Sequence, residues 1–408
     1  MVCSLYRKTL HHYKFLMATQ KTEKRKVLIS GCLFHIYHDS IADGLAVLLP
    51  FWQAAFHLSL AQVGLVITCF EGATALFQVP AGLLGERFGE RRLLTLGTLL
   101  AAACFIAVAM VGNVYALCIL MVAGGLGASV QHPLAAAMIS KAYIGHNQRI
   151  VLGTYNFAGD MGKLTFPALA AVVLMFTDWQ SLCMGYGVFG LVLVVGLYLL
   201  LSRHSFSTDI VETETKAKPR GWGIEKKRAF TLLSGIGFVD TAVRASLIVF
   251  LPFLLIGKGM PMEKTGLALT LLFIGGALGK FLCGVLAEKI GVIPSMTITE
   301  AITGLGIFYI YAAPLPALLP FLPFLGVALN GTSSVLYGTV AEFVNPSRVT
   351  RAFGLFYTVI ISAAAIAPPM CGVISDAKGV PFTVVVIAFA ALLTLPMVYL
   401  LHKERISH

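Results

Sequence analysis

The chain has 408 residues, of which 58% are hydrophobic and only 12% are charged. This composition excludes an ordinary soluble domain, in which about a quarter of the residues are charged. The formal net charge of +11 suggests an anionic partner such as a nucleic acid, but the positions of the basic residues, described below, have another explanation.

About twelve apolar stretches are long enough to cross a bilayer, whose core of about 30 Å requires roughly 20 residues per helix. We therefore predict an all-α membrane protein of twelve transmembrane helices, surrounded by a lipid bilayer. Numbered in chain order, the predicted segments are 28–55, 60–84, 93–112, 114–140, 150–176, 179–201, 229–256, 265–287, 292–312, 316–341, 352–374 and 380–401.

Most of the 30 Lys and Arg residues lie before segment 1, in alternate connections and at the C-terminus. The other connections hold only Lys258, Lys264 and Lys378. Cytoplasmic connections of membrane proteins are rich in Lys and Arg, so both termini are predicted to lie in the cytoplasm. Because topology explains the basic residues, we expect no nucleic-acid partner.

Segment 1 carries His35, His38, Asp39 and Asp43. Spacings of four residues place His35, Asp39 and Asp43 along one face of a helix, and ionisable residues inside a membrane usually face a cavity or a partner. Since such groups can take up and release a proton, we interpret them as a proton-coupling site, to which we add Glu71 of segment 2. Hydrogen bonding between helices is the alternative. His and Asp also suit a transition-metal ion, but we assign no metal site and predict no cofactor.

Segment 5 holds Asp160 and Lys163, and segment 7 holds Asp240 and Arg244. Each pair can neutralise itself within its own helix. Alternatively, Lys163 and Arg244 recognise an anionic or polar substrate when their acidic partners are protonated or turn away. We assign these four residues to substrate binding, together with His132, which precedes a proline in segment 4.

Two further ionisable residues lie in the second half of the chain. Lys280 is close to the cytoplasmic end of segment 8, and we expect it to snorkel to the membrane surface in a structural role. Glu300 of segment 9 is a weaker candidate proton carrier, which could instead pack against a polar neighbour.

The two halves of the chain resemble each other at a shift of 202 residues. Residues 45–51 match residues 247–253 at five positions, and residues 82–89 match residues 284–291 at the same shift. Internal repeats of this kind are typical of transporters. The predicted organisation is a cytoplasmic segment 1–26, a six-helix bundle 27–201, a cytoplasmic linker 202–228, a second six-helix bundle 229–401 and a cytoplasmic tail 402–408.

The connection between segments 2 and 3 begins Gly-Leu-Leu-Gly-Glu-Arg-Phe-Gly-Glu-Arg at residue 82. It resembles the signature of the major facilitator superfamily at this place, GxLaDrxGrkxxl, with Glu86 instead of Asp. Glycines allow a tight turn there, while an acid and several arginines can bridge helix ends in one conformation only; a solvated basic loop is the alternative. The predicted gating residues are Gly82, Glu86, Arg87, Gly89 and Arg91, with Gly284, Glu288, Lys289 and Gly291 in the second half.

Three short runs resemble the fosmidomycin-resistance group of efflux proteins within that superfamily. They are His35-x-x-His38-Asp39, Ser129-Val-Gln-His132-Pro133, and Gly159-Asp160-Met-Gly162 with Pro167. The resemblance implies the major facilitator fold in two pseudo-symmetric bundles, a monomer in the bacterial inner membrane, and proton-coupled efflux of a small organic compound by alternating access.

Two departures keep other functions open. Segment 4 has no Arg before Lys141, and Phe166-Pro167 replaces the Gly-Pro of the antiporter signature in segment 5. Proton-coupled uptake of an organic anion is therefore one alternative. Export of a divalent metal through the His and Asp cluster of segment 1 is the other. An enzyme is not predicted, because the chain contains no Walker, HExxH or GxSxG motif.

Overall fold

A computed structural model describes residues 2–143, 148–201, 222–345 and 349–406, without the side chains of residues 2–21, 86, 148–149 and 349–351. Most of the predicted linker and the last two residues of the predicted tail lie outside the described residues. The described chain forms fourteen α-helices and two short 3-10 helices, Met262–Lys264 and Ala341–Phe343. The α-helices are α1 (Val2–Phe56), α2 (Leu60–Phe88), α3 (Glu90–Val108), α4 (Val114–Ala128), α5 (Gln131–Ala142), α6 (Gln148–Val173), α7 (Trp179–Leu200), α8 (Lys227–Gly257), α9 (Thr265–Ile290), α10 (Val292–Ala312), α11 (Leu315–Val340), α12 (Val349–Lys378), α13 (Val380–Leu392) and α14 (Thr394–Ile406).

Ten stretches of the described residues are long and apolar enough to cross a membrane. Helices α1 and α6 are also long enough to cross a membrane, but they are not among these ten stretches. Each carries ionisable residues along its length, Asp39 and Asp43 in α1 and Asp160 and Lys163 in α6. The prediction of an all-α protein with many transmembrane helices is confirmed, and the exact number of twelve stays a prediction.

Proline explains why two predicted segments are each divided into two helices. Pro133 is the third residue of α5, and Pro396 is the third residue of α14. Each of these helices is the second piece of its predicted segment. A proline has no N–H to donate to the carbonyl four residues earlier, but it is tolerated in the first turn of a helix. Each pair of pieces still forms one candidate membrane span, 114–142 and 380–406.

Helices α1–α7 pack mainly against one another, as do α8–α14. The main contacts between these two sets are α2 against α12 and α6 against α9. Many large apolar side chains face outward, among them Leu76, Tyr115, Phe176 and Phe281. An apolar outer surface on helices whose backbone groups are satisfied internally is the arrangement that a bilayer requires.

The start of α2 packs against the second half of α12, where Gly64 lies against Pro369 and Gly372 lies against Leu60. There the hydroxyl of Thr68 in α2 donates a 2.6 Å hydrogen bond to the carbonyl of Ala365 in α12. Toward the other end, Gly82 of α2 and Gly354 of α12 both line a cavity instead. The two sets of helices are therefore closed together at the start of α2 and separated toward its end.

Candidate functional site

A cavity of about 790 Å³ lies between the two sets of helices. It is lined by α1, α2, α4, α5 and α6 from the first set and by α8, α9, α11 and α12 from the second. This volume is within the range of small-molecule sites. Its acidic, basic and histidine lining residues are His35, His38, Asp39, Asp43, Glu71, His132, Asp160, Lys163, Arg244 and Lys280.

The predicted stripe on α1 faces this cavity, as its spacing of four residues suggested. The ring of His35 is stacked on Tyr155 of α6, with centroids 4.1 Å apart, and its Nδ1 lies 2.8 Å from the Tyr155 carbonyl oxygen. Since a carbonyl can only accept, His35 Nδ1 carries the proton and donates it. His35 Nε2 lies 3.3 Å from Asp39 Oδ1, so the imidazole is held in one orientation against the carboxylate.

Lys163 joins α6 to the acidic residues of α1. Its Nζ lies 2.9 Å from Asp43 Oδ2 and 3.9 Å from Asp39 Oδ2. The suggested pair of Lys163 with Asp160, one turn away on α6, is therefore wrong as the main contact. Residues three apart on a helix lie close enough to interact, but here each side chain reaches a different neighbouring helix instead.

Asp160 instead pairs across the cavity with Lys280 of α9, at 2.5 Å between Oδ1 and Nζ. The interpretation of Lys280 as a residue that snorkels to the membrane surface is thus wrong. This pair links the first set of helices to the second, which sequence spacing within one helix cannot reveal. The only available signal was a single lysine inside an otherwise apolar segment.

Arg244 of α8 and Glu71 of α2 complete the charged lining. Among the described residues, neither forms an ion pair within 4.0 Å. The predicted partner of Arg244, Asp240, is only 4% exposed and lies outside the cavity lining. Glu300 of α10 is almost fully buried and accepts a 3.1 Å hydrogen bond from Thr394, so it has the polar neighbour that the alternative interpretation expected.

The two remaining predicted histidines have different surroundings. His38 Nε2 lies 2.8 Å from Thr98 Oγ1 of α3, and the Thr98 hydroxyl itself donates to the carbonyl of Leu94. His38 Nε2 therefore donates, and this histidine forms a hydrogen bond between helices. His132 of α5 is half exposed to the cavity, and its Nε2 lies 3.8 Å from Asp39 Oδ1.

The residues of the predicted gating motif lie where α2 ends and α3 begins. Gly89 has φ +87° and ψ 132°, and Gly291 between α9 and α10 has φ +93° and ψ 163°, a backbone region open essentially to glycine alone. Arg91 donates a 2.6 Å hydrogen bond to the carbonyl of Tyr198 in α7, and Glu90 forms an ion pair with Lys141 of α5.

The other motif residues make fewer contacts in this conformation. The guanidinium of Arg87 lies 5.4 Å from the ring centroid of Phe88. Gly284 lies within α9, and Glu288 and Lys289 are exposed at its end. The side chain of Glu86 lies outside the described part of the chain. The structure thus brings the cavity residues together, whereas the described motif residues lie at one end of α2 and α9, with Gly82 alone among them lining the cavity.

Comparison with known proteins agrees with this architecture. The model of the Major Facilitator Superfamily matches residues 32–265 and again residues 233–407. The fosmidomycin resistance protein of Escherichia coli (strain K12) is 21% identical over 386 residues, which cover 90% of this chain and 91% of that protein. A probable sulfoacetate transporter of Cupriavidus necator is 24% identical over 293 residues, 65% of this chain and 66% of that protein.

Solved structures show the same fold. A bacterial homologue of the human lysosomal transporter Spinster, in an inward-facing and occupied conformation, superposes with a TM-score of 0.79 at 16% identity, over 93% of this chain and 96% of that one. Relatives and fold are those of transporters, so the prediction that the chain is not an enzyme is confirmed. The chain belongs to the Major Facilitator Superfamily and is a multi-pass membrane transporter of small molecules.

Proposed function

We propose that this protein is a proton-coupled secondary transporter that moves a small organic anion by alternating access, with export as its direction. In this proposal twelve helices form two six-helix halves in a bacterial inner membrane, with both termini in the cytoplasm, and the protein works as a monomer. Alternating access would rock the halves around the central cavity.

One observation carries the proton coupling and the anionic substrate in this proposal, though not its direction: carboxylates hold two lysines of the cavity in ion pairs, one of them across the halves. Asp43 and Asp39 hold Lys163, and Asp160 of the first half holds Lys280 of the second. A proton that binds a carboxylate removes the charge that holds the lysine. The freed ammonium group can then bind an anionic substrate, so proton binding and anion binding are linked.

Arg244 supports an anionic substrate independently. It lines the cavity, and no carboxylate of the described residues lies within 4.0 Å of it. A guanidinium group presents several donors in a planar fork that suits carboxylate, sulfonate and phosphonate groups. We therefore assign Arg244 to the substrate, and Lys163 and Lys280 to both the substrate and the proton-dependent ion pairs.

The direction of export is supported by the resemblance to the fosmidomycin resistance protein over 90% of the chain. The ion pairs favour a second candidate, uptake of an organic anion together with protons. If protonation frees the lysines, the proton and the anion bind in the same conformation, which is the order that symport requires. The probable sulfoacetate transporter among the relatives is named for an organic anion.

Proteoliposomes with a fluorescent pH probe inside test both candidates. Pools of small organic anions are added outside, and the internal pH is followed for wild type, Asp39→Asn, Asp43→Asn and Glu263→Gln. The last variant is the control, because Glu263 lies in a 3-10 helix outside the cavity lining. A substrate-dependent proton flux in wild type and the control, lost in both aspartate variants, supports the coupling site.

The sign of the flux separates the two directions. Internal acidification on addition of an external anion indicates symport, and internal alkalinisation indicates exchange for protons. Transport that is unchanged in both aspartate variants contradicts the assignment of the α1 stripe to proton coupling.

A further inference from the structure

His35, Asp39 and His132 form a compact cluster at the wall of the cavity. One ligand atom from each lies within 4.8 Å of the other two. We propose that this cluster binds a divalent transition-metal ion of the zinc type, through Nε2 of both histidines and Oδ1 of Asp39. The proposal goes beyond the transport of an organic anion and does not depend on it.

The hydrogen bond of His35 prepares its Nε2 as a ligand. Because Nδ1 donates to the Tyr155 carbonyl at 2.8 Å, the neutral ring has a free lone pair on Nε2. That lone pair faces Asp39 Oδ1, another acceptor, at 3.3 Å. Two acceptors in this position require a cation or an additional proton between them. A backbone carbonyl that fixes the tautomer and orientation of a histidine is the usual outer-sphere partner of a metal ligand.

The distances allow a tetrahedral site if His132 moves toward the other two ligands. Zinc bonds of about 2.0–2.1 Å to nitrogen and oxygen place tetrahedral ligand atoms about 3.3 Å apart. His35 Nε2 already lies 3.3 Å from Asp39 Oδ1, and His132 Nε2 lies 3.8 Å from it. The ligand atoms of the two histidines lie within 4.8 Å of each other, so His132 must approach His35 by up to about 1.5 Å to reach the tetrahedral spacing. The side chain of His132 is 51% exposed, which leaves its ring room for this movement.

The two oxygens of Asp39 have different partners. Oδ1 faces both histidines, whereas Oδ2 faces Lys163 at 3.9 Å. The lysine is therefore on the far side of the carboxylate, and it is held more closely by Asp43 at 2.9 Å. Across the whole cavity lining, four carboxylates, those of Asp39, Asp43, Glu71 and Asp160, face three basic side chains, those of Lys163, Arg244 and Lys280. This surplus of one negative charge favours a cation.

Three protein ligands leave one tetrahedral position for water or another oxygen. All three ligand residues line the cavity, so an ion can enter from the cavity and its fourth position faces the space that a substrate would occupy. His38 does not join the set, because its Nε2 donates to Thr98.

Cobalt titration of the purified chain tests the proposal. The full-length protein, with no polyhistidine tag and after chelator treatment, is titrated with Co²⁺ in detergent, followed by competition with Zn²⁺. We expect one Co²⁺ per chain with the intense visible bands of tetrahedral coordination, displaced by Zn²⁺. His132→Asn should weaken binding by at least about tenfold, while His402→Asn, which changes an exposed histidine of α14, should bind as wild type does.

Three results would overturn the proposal: no saturable Co²⁺ binding by wild type, bands of octahedral coordination only, or equal affinities of wild type and His132→Asn. The first two results are measured on wild type alone, so they test the proposal even if His132→Asn folds poorly. Because binding is measured without transport, the result is independent of whether an organic anion is carried.

Discussion

Asp376, near the end of α12, accepts hydrogen bonds from the backbone N–H groups of Leu60 and Ala61, the first two residues of α2, at 2.7 and 2.9 Å. The next residue, Gln62, donates its N–H to the side chain of Ser59. The first N–H groups of a helix have no partner within it and carry partial positive charge. Asp376 therefore completes the cap of α2 from the other half of the protein, at the end where the halves are closed together.

We expect Asp376→Ala to favour opening of this end. Loss of a helix cap of this kind costs about 1 kcal/mol, which changes a two-state equilibrium about fivefold. Distances between spin labels placed at the starts of α2 and α13 measure the opening. Asp376→Asn keeps one acceptor oxygen and should lie between wild type and Asp376→Ala. Equal distance distributions in all three proteins would show that the contact does not hold the halves together.

Asp178 provides a matched cap within one half, because its side chain accepts a 2.7 Å hydrogen bond from the N–H of Ser181 at the start of α7. This bond lowers the pKa of Asp178 below its ordinary value of 3.8. A lowered pKa means that the stabilisation is present above that ordinary value and is lost as the pH falls through the pKa of the folded protein.

At pH 7, Asp178→Ala should therefore lower Tm by about 1–2 °C without changing the label distances across the halves. The Tm difference should shrink when both proteins are measured at pH values below 4. A difference that is constant with pH would mean that the charged carboxylate is not what stabilises α7.

Gly159 of α6 packs against the proposed ligands. A Cβ at this position would lie 2.5 Å from His35 Nε2 and 2.8 Å from Asp39 Oδ2. Gly159→Ala should therefore displace these side chains and reduce proton-coupled transport about tenfold or more. On the same helix, a Cβ at Gly153 meets nothing within 4 Å, so Gly153→Ala is the control.

Alanine is the better helix former by about 1 kcal/mol, so lost activity in Gly159→Ala cannot result from a weaker helix. The initial rate of internal pH change in proteoliposomes is the measurement. Equal rates for the two alanine variants would mean that the position of His35 and Asp39 does not matter for coupling.

The sequence predicted the α1 stripe because a spacing of four residues determines a helix face without knowledge of any neighbour. It did not predict which residues meet across helices. Lys163 pairs with α1 rather than with Asp160, and Lys280 reaches Asp160 from the other half, because helix rotation and packing decide these contacts. The contact of His38 is another example. This histidine lies three residues after His35, and its ring meets Thr98 of α3, a neighbour that only the packing of the helices determines.

The pair of Asp160 and Lys280 gives the strongest test of the link between the halves. The side chain of Asp160 is 12% exposed and that of Lys280 is 38% exposed. Neutralising Lys280 leaves a poorly solvated carboxylate without its partner, and neutralising Asp160 leaves a partly solvated ammonium group without its partner. We expect Asp160→Asn and Lys280→Gln each to lower stability in detergent by about 1–3 kcal/mol. The double variant should lose less than the sum of the two, because it removes both charges.

A double-mutant cycle on Tm measures this coupling, and the same four proteins can be compared in transport. If the pair also carries the link between proton and anion, Asp160→Asn should retain anion binding with a weaker dependence on pH, because Lys280 is then free at every pH. Lys280→Gln should lose anion affinity instead. Additive Tm changes together with identical pH profiles would show that the two residues act independently, and the ion pair would then have no part in coupling.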